Sequence, residues 1–277
     1  MVMYEIVEKK IMSDNVKLMK IKAPLVAKKA KAGQFIILRI DEEGERIPLT
    51  IADYDSKKGT ITVIFMEVGK TTKQLGTMKK GDKILNFAGP LGVASEIEKF
   101  GTVVCIGGGV GIAPLYPIVR ELKNSGNYVI SILGARNKDL LMLEKEIDEF
   151  SDELHICTDD GSKGHKGFVS DVLQKLIDDG KEINIVWAIG PVIMMKVVAD
   201  LTKKYDLKTI VSLNPIMVDG TGMCGGCRVI IDGEIKFACV HGPEFDGHKV
   251  DFKNLMLRNR RFVEEEKHAC KMAGVEI

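Results

Sequence analysis

The residues best suited to chemistry stand close together near the C-terminus. Asp219-Gly-Thr-Gly-Met-Cys224-Gly-Gly-Cys227 is followed by Cys239, so three of the six cysteines fall in one stretch. Thiolates are soft ligands, and C-x4-C-x2-C…C is the plant-type [2Fe–2S] spacing, here with aspartate in the first place. Three readings are open. His241 lies close to Cys239, so a Cys3His set could hold zinc. Cys224-Gly-Gly-Cys227 could be a redox-active thiol pair. The third reading is an iron–sulfur cluster with Asp219, Cys224, Cys227 and Cys239 as ligands. Gly220, Gly222, Gly225 and Gly226 favour it, because several amides in such a loop can point at the sulfides and offset their negative charge. Asp219 also reads as a turn residue before Gly220. The cluster reading makes the chain an electron carrier.

A second constellation follows an apolar run. Val103-Val104-Cys105-Ile106 leads into Gly107-Gly108-Gly109-Val110-Gly111-Ile-Ala-Pro114. Glycines let backbone approach a ligand closely, and the helix start beyond them offers free amides to a pyrophosphate. A tight strand–helix turn is the plainer reading. No Gly-Lys-Ser/Thr follows, which excludes a nucleotide-hydrolysing P-loop. Further strand ends carry Arg136, Thr158-Asp159-Asp160-Gly161 and Gly190-Pro191, where open α/β sheets bind ligands. Arg136 could reach a phosphate or be a solvated surface residue. Asp159 and Asp160 could bind ribose hydroxyls or make an ordinary turn.

The elements that must position these residues divide into three segments. Residues 1–97 hold short runs rich in β-branched residues, YEIVEKKIM, VKLMKIKA, QFIILRI, TITVIFM and KILNFAG, separated by turns. These predict an antiparallel β-barrel. Residues 98–213 alternate continuous apolar strands with helical patterns near 112–123, 138–149, 168–179 and 191–204. That rhythm predicts a doubly wound parallel sheet, so the fold class is β plus α/β. Residues 214–277 hold the cysteine module and a charged tail, RNRRFVEEEKHACKMAG, with a helical look.

Composition bounds the function. The 277 residues are 45% hydrophobic with a formal net charge of +1, which gives no argument for nucleic acid or an anionic membrane as partner. The N-terminal run has no apolar signal sequence, and a cytoplasmic protein is expected. Cys105 and Cys157 read as buried thiols, and Cys270 as structural or incidental.

Two barrel segments complete the pattern. Arg46-Ile-Pro48-Leu49-Thr50 and Gly69-Lys70-Thr71-Thr72 say little alone. With a G-G-G-x-G-x-A-P turn and a closing Ile189-Gly190-Pro191, the chain resembles the ferredoxin–NADP reductase family. With the cysteine module it is similar to the electron-transfer subunit of dihydroorotate dehydrogenase. It resembles still more closely the small subunits of NADH-dependent reduced ferredoxin:NADP oxidoreductases, the bifurcating transhydrogenases also described as sulfide dehydrogenases.

The resemblance implies FAD, a [2Fe–2S] cluster and NAD(H) as cofactors. It lays Pro48, Leu49 and Thr50 along the isoalloxazine with Arg46 nearby, and Ile64, Phe65 and Met66 beside the flavin. Thr50 is the catalytic candidate, as a donor to the N5 region. Gly69, Lys70, Thr71 and Thr72 would hold the pyrophosphate. Gly107 to Gly111, Thr158 to Gly161, Gly190 and Pro191 would form the dinucleotide site, with NAD favoured over NADP. The implied partner is a larger flavoprotein subunit with its own FAD and [4Fe–4S] clusters, through which ferredoxin reacts. Two departures stand out. Arg46 lies four residues before Thr50, where many relatives have arginine three before. Asp219 replaces the cysteine usual in the dihydroorotate dehydrogenase partner, and fits the bifurcating family instead. The alternatives are a dihydroorotate dehydrogenase subunit and a zinc-stabilised nucleotide-binding regulatory module.

Overall fold

The computed structural model describes residues 3–272 and 274. Seven strands form the first sheet: β1 (Tyr4–Ser13), β2 (Val16–Lys22), β3 (Phe35–Arg39), β4 (Ile47–Asp55), β5 (Thr60–Met66), β6 (Lys83–Ile84) and β7 (Asn86–Leu91). Their order is β6-β1-β2-β5-β4-β3-β7, antiparallel throughout. Only Leu85 separates β6, on the β1 edge, from β7, on the β3 edge. The stretch 83–91 therefore joins the two edges into a nearly closed barrel, which protects them from stray pairing. Ile6, Met19, Ile36, Leu38, Ile51 and Ile61 fill its interior. Two short helices, α1 (Pro24–Ala27) and α2 (Lys70–Thr77), sit in its connections.

One irregularity in the barrel matters for function. β4 pairs with β3 through Ile47–Thr50, but with β5 only from Ile51 onward. Beyond the Ile51–Val63 pair, residues 48–50 and 64–66 have no ladder between them. Pro48 lies where its strand has one neighbour, the place a sheet tolerates proline. The result is a slot in the barrel wall.

The second sheet contains β8 (Thr102–Gly108), β9 (Tyr128–Ala135), β10 (Glu153–Thr158), β11 (His165–Lys166), β12 (Ile185–Ile189), β13 (Thr209–Ser212) and β16 (Glu244–Asp246). A separate hairpin, β14 (Arg228–Ile231) and β15 (Glu234–Phe237), lies between the last two. The order is β11-β10-β9-β8-β12-β13-β16, all parallel except β16. The helices are α3 (Ile112–Asn124), α4 (Glu144–Asp148), α5 (Val169–Asp178), α6 (Val192–Lys203), α7 (Ala238–His241), α8 (Phe252–Arg258) and α9 (Val263–Met272). Strand residues alternate between faces. Val103 and Cys105 pack with α3 and α4, while Val104 and Ile106 pack with α5 and α6. Both faces are thus buried, which explains the continuous apolar runs. Burial pushes Cys157 up to about 12, so it stays a neutral core thiol.

Two helical expectations change. The stretch 138–149 folds as a single 3-10 turn, Lys138–Leu140, and the five-residue α4. Leu140 to Leu143 are four apolar residues in a row and cannot share one helix face. Leu143 takes a left-handed conformation with φ of 54°, which stops the helix from starting earlier. The charged tail forms α9 after a break following α8, rather than one helix. Ala273, within the expected helical stretch, lies outside the described residues. Among them, no helix is long and apolar enough to cross a membrane.

The sheets share cores. Phe35 and Ile37 of β3 pack in one cluster with strands of the parallel sheet and with Cys227 and Cys239. On the other side, Arg120 of α3 pairs with Asp53 of β4 at 2.7 Å, its guanidinium 5.5 and 5.3 Å from the rings of Tyr54 and Tyr116. Burial alone would lower the Arg120 pKa, but Asp53 holds it raised. Arg120→Ala leaves Asp53 without its cation across the junction. The expected loss is about 1–2 kcal/mol of stability, given partial exposure. It should appear as a lower urea midpoint with an unchanged slope.

Candidate functional site

A cleft of about 850 Å³ opens between the barrel and the parallel sheet. The barrel contributes Pro48, Leu49 and Thr50 on one side of its slot and Ile64, Phe65 and Met66 on the other. The parallel sheet contributes Gly108 at the end of β8, Gly109, Val110 and Gly111 just after it, and Gly190 and Pro191 after β12. β8 and β12 are neighbours from which the chain winds in opposite directions, the switch point where such sheets bind ligands. Arg136 and Asp159 also line the cleft. An apolar slot facing a glycine crossing can stack a flat heterocycle against a nucleotide.

The crossing depends on a glycine. A Cβ on Gly111 would lie 2.3 Å from the Ile189 carbonyl oxygen and 2.6 Å from its carbon. These are backbone atoms and cannot yield, so the start of α3 packs against the end of β12 only with glycine there. Gly107 lies within β8 and is absent from the cleft wall.

Several expected contacts sit elsewhere. Thr158 is fully buried, and its hydroxyl donates to the Lys163 carbonyl and accepts from the Lys163 amide. The Asp160 carboxylate accepts from the Ser162 amide, and Gly161 has φ of 77°. These three shape a loop beside the cleft while Asp159 faces it. Gly69 caps α2, and the Thr72 hydroxyl accepts from the Val68 and Gly69 amides. The Thr71 hydroxyl donates to Glu45. Neither threonine hydroxyl is free for a pyrophosphate. The first amides of α2, beside Lys70, have no acceptor within the helix and are the donors left for one. Arg46 departs most. Its guanidinium donates to the carbonyls of Val218 and Asp219, at 2.9 and 3.3 Å, and so grips the cysteine loop instead of the cleft.

Sequence reasoning missed the segment after β13. Leu213, Asn214, Pro215 and Met217 line the cleft, and Asp219 follows two residues later. The Asn-Pro dipeptide closing an apolar run was the available signal. The chain thus runs from the cleft wall straight into the ligand loop. Gly220 packs that loop on the barrel, where a Cβ would meet Leu91 and Ile37 at 2.7 and 2.9 Å.

The loop brings its candidate ligands together as two pairs. The Asp219 carboxylate lies 3.3 Å from Cys224 Sγ, and Cys227 Sγ lies 3.1 Å from Cys239 Sγ. Among the described residues, no three His, Cys, Asp or Glu side chains converge on one point. A single zinc ion needs four donors around it, whereas a [2Fe–2S] cluster takes a pair at each iron. His241 is also engaged, accepting at Nδ1 from the Phe237 amide and stacking on its ring. The two cysteines of C-x2-C turn to different partners, which argues against a thiol–disulfide couple. The residues therefore fit the cluster better than zinc.

Electrostatics support this fit. Burial would raise the Asp219 carboxyl, but donors from Cys224 and Thr221 hold it down to about 2. Its oxygens also accept from the amides of Met223 and Cys224, at 3.0 and 3.2 Å. One carboxylate oxygen can bind iron while the other keeps the loop's donors. Burial, then the neighbouring Cys227, pushes Cys239 up to about 12. Such a thiol loses its proton when a metal takes its place.

Comparison with known proteins agrees with each part. Residues 3–95 match an oxidoreductase FAD-binding domain, and residues 105–200 an oxidoreductase NAD-binding domain. Residues 214–251 match the iron–sulfur cluster binding domain of dihydroorotate dehydrogenase B. The molecule is an NAD-linked flavin oxidoreductase with an iron–sulfur domain. It is 53% identical to an uncharacterised protein of Clostridium beijerinckii, over 95% of this chain and 92% of that one. It is 50% identical to a Thermotoga maritima homologue of the electron transfer subunit of dihydroorotate dehydrogenase B (NAD(+)), over 95% and 93% of the two chains. A solved structure of an NADH-dependent reduced ferredoxin-NADP oxidoreductase, reported for flavin-based electron bifurcation, has a chain matching at a TM-score of 0.93. Identity is 46%, and 98% of each chain is covered. The chain belongs to the family of dihydroorotate dehydrogenase B electron-transfer subunits and their homologues.

Gly111→Ala tests the crossing. We expect the NADH dissociation constant to rise at least about tenfold, roughly 1.4 kcal/mol, while the flavin stays bound. Calorimetric titration of the flavin-loaded variant reads the change.

Proposed function

We propose that the chain is the NAD(H)-reacting electron-transfer subunit of a ferredoxin-linked, electron-bifurcating NADH/NADP transhydrogenase. The observation that carries this reading is Asp219 beside Cys224, opposite the Cys227–Cys239 pair. An aspartate plus three cysteines fits the bifurcating small subunits, whereas a dihydroorotate dehydrogenase partner would have four cysteines. The likeness in fold and sequence to the reduced ferredoxin-NADP oxidoreductase chain points the same way.

When bound, the flavin and the cluster together supply the conversion of a hydride donor into single electrons. The chain's own residues arrange that chemistry. The open edge of β4 at Pro48, Leu49 and Thr50 would receive one side of the flavin, with the Thr50 hydroxyl as the donor to its N5 region. Ile64, Phe65 and Met66 exclude water from the other side. The glycine crossing at Gly108–Gly111, with Gly190 and Pro191, seats the dinucleotide against the slot. Arg136 and Asp159 flank its adenosine end. No side chain is required as an acid or base. Asp219 and Cys224 would hold one iron, Cys227 and Cys239 the other.

A subunit of this kind works with a larger partner. In our reading this is a flavoprotein with its own FAD and [4Fe–4S] clusters, where ferredoxin and NADP(H) react in the cytoplasm. The dihydroorotate dehydrogenase reading remains the second choice, on the strength of the iron–sulfur domain match. Anaerobic isolation of the native complex separates the two. The expected preparation contains a large iron–sulfur flavoprotein, bleaches its flavin with NADH and reduces a dye. A dihydroorotate-oxidising chain in its place would overturn the choice. Zinc without flavin would sink both.

A further inference from the structure

Three guanidinium groups reach the ligand loop from outside it. Arg46, at the foot of the flavin-facing strand β4, donates to the Val218 and Asp219 carbonyls at 2.9 and 3.3 Å. At the other end, Arg258 of α8 donates to the carbonyls of Arg228 and Gly226 at 2.9 and 3.3 Å. Arg261 donates to the same Gly226 carbonyl at 2.8 Å. Two like charges thus meet on one oxygen beside Cys227. Among the described residues, none of the three arginines forms an ion pair with a carboxylate. Each guanidinium instead contacts a carbonyl of the loop. Arg46, Arg258 and Arg261 all lie outside the matched iron–sulfur domain, residues 214–251.

The physical consequence has a definite sign. A carbonyl that accepts from a guanidinium is polarised, and so is the amide of the same peptide group. The Val218 carbonyl shares its peptide with the Asp219 amide, and the Gly226 carbonyl with the Cys227 amide. Both ends of the ligand set therefore carry strengthened donors and nearby positive charge. Reduction by the NADH-reduced flavin moves one electron onto the cluster, adds one negative charge and makes or breaks no bond. Fixed cations stabilise that added charge. Arg46 and Arg258 are half-buried, while Arg261 is exposed and more strongly screened.

We propose that Arg46, Arg258 and Arg261 form a cationic clamp that raises the reduction potential of the bound cluster and ties its loop to the flavin-facing strand. The proposal rests on the iron–sulfur reading above. It assigns Arg46 to the cluster end of the path, as a positioning residue.

The test compares Arg46→Gln, Arg258→Gln and Arg261→Gln with the matching lysine variants, each as the full chain with flavin and cluster. Iron and acid-labile sulfide in the unchanged protein check the underlying reading separately. Their absence there defeats the cluster itself. With the cluster present, redox titration followed by electron paramagnetic resonance decides the clamp. Arg46→Gln and Arg258→Gln should each lower the reduction equilibrium constant about tenfold, about 59 mV for a one-electron couple. Arg261→Gln should move it less. The lysine variants, which keep the charge, should return most of the shift. If a glutamine variant loses its cluster, the comparison passes to the cluster release rate. Loss in glutamine but not lysine variants supports the clamp. No shift in any glutamine variant, or equal effects of glutamine and lysine, overturns it.

Discussion

The arrangement depends on one short stretch of chain, Gly242 to Asp246. After the ligand loop and its hairpin, the chain returns to the parallel sheet as β16, antiparallel to β13. On the way, the Gly242 carbonyl accepts from the Val93 amide at 2.7 Å, and the Pro243 carbonyl from the Leu213 amide at 2.9 Å. Glu244 accepts from the Ser95 hydroxyl at 2.7 Å and the Trp187 indole at 3.2 Å. Burial raises the Glu244 pKa, and those two donors partly offset it. The barrel's exit, the parallel sheet and the ligand loop are thus fastened at one place. Single-electron transfer needs short, fixed separations, and this junction fixes them.

Around that junction, the ligand loop is organised by its own backbone. Asp219 gathers the donors of Thr221, Met223 and Cys224, which shapes the glycine-rich turn. Cys227 and Cys239 are buried in the core shared with the parallel sheet, while Cys224 is exposed at the surface. On the proposed ligand set, one iron site would be set deep and the other near solvent. A carboxylate is a harder ligand than a thiolate, and Asp219 on the exposed iron would make the two irons chemically unequal. Such inequality gives an added electron a preferred position.

Local sequence features carried much of this. Continuous apolar runs mark β8, β9, β10, β12 and β13 because both faces of that sheet are covered. The glycine turn and the cysteine spacing are short-range patterns and read directly. What could not be read depends on long-range pairing. The change of partner along β4, which opens the slot, follows from register with β3 and β5 rather than from its own residues. The antiparallel β16 is three residues long and has no signature of its own. Three threonine hydroxyls have local partners that spacing alone does not reveal. Thr71, Thr72 and Thr158 each satisfy nearby groups first, as short polar side chains commonly do. The partners of Arg46 were not legible because its acceptors lie more than 170 residues away in the chain.

The central claim is that one chain holds a two-iron cluster through an aspartate–cysteine pair and a cysteine–cysteine pair. Mössbauer spectroscopy of the oxidised, iron-isotope-enriched protein tests it most directly, beside Asp219→Cys. Our account predicts two unequal ferric sites in the unchanged protein, one with a hard oxygen ligand. In Asp219→Cys both sites should resemble all-thiolate iron. Identical spectra for the two proteins would show that Asp219 does not bind iron and would contradict the account.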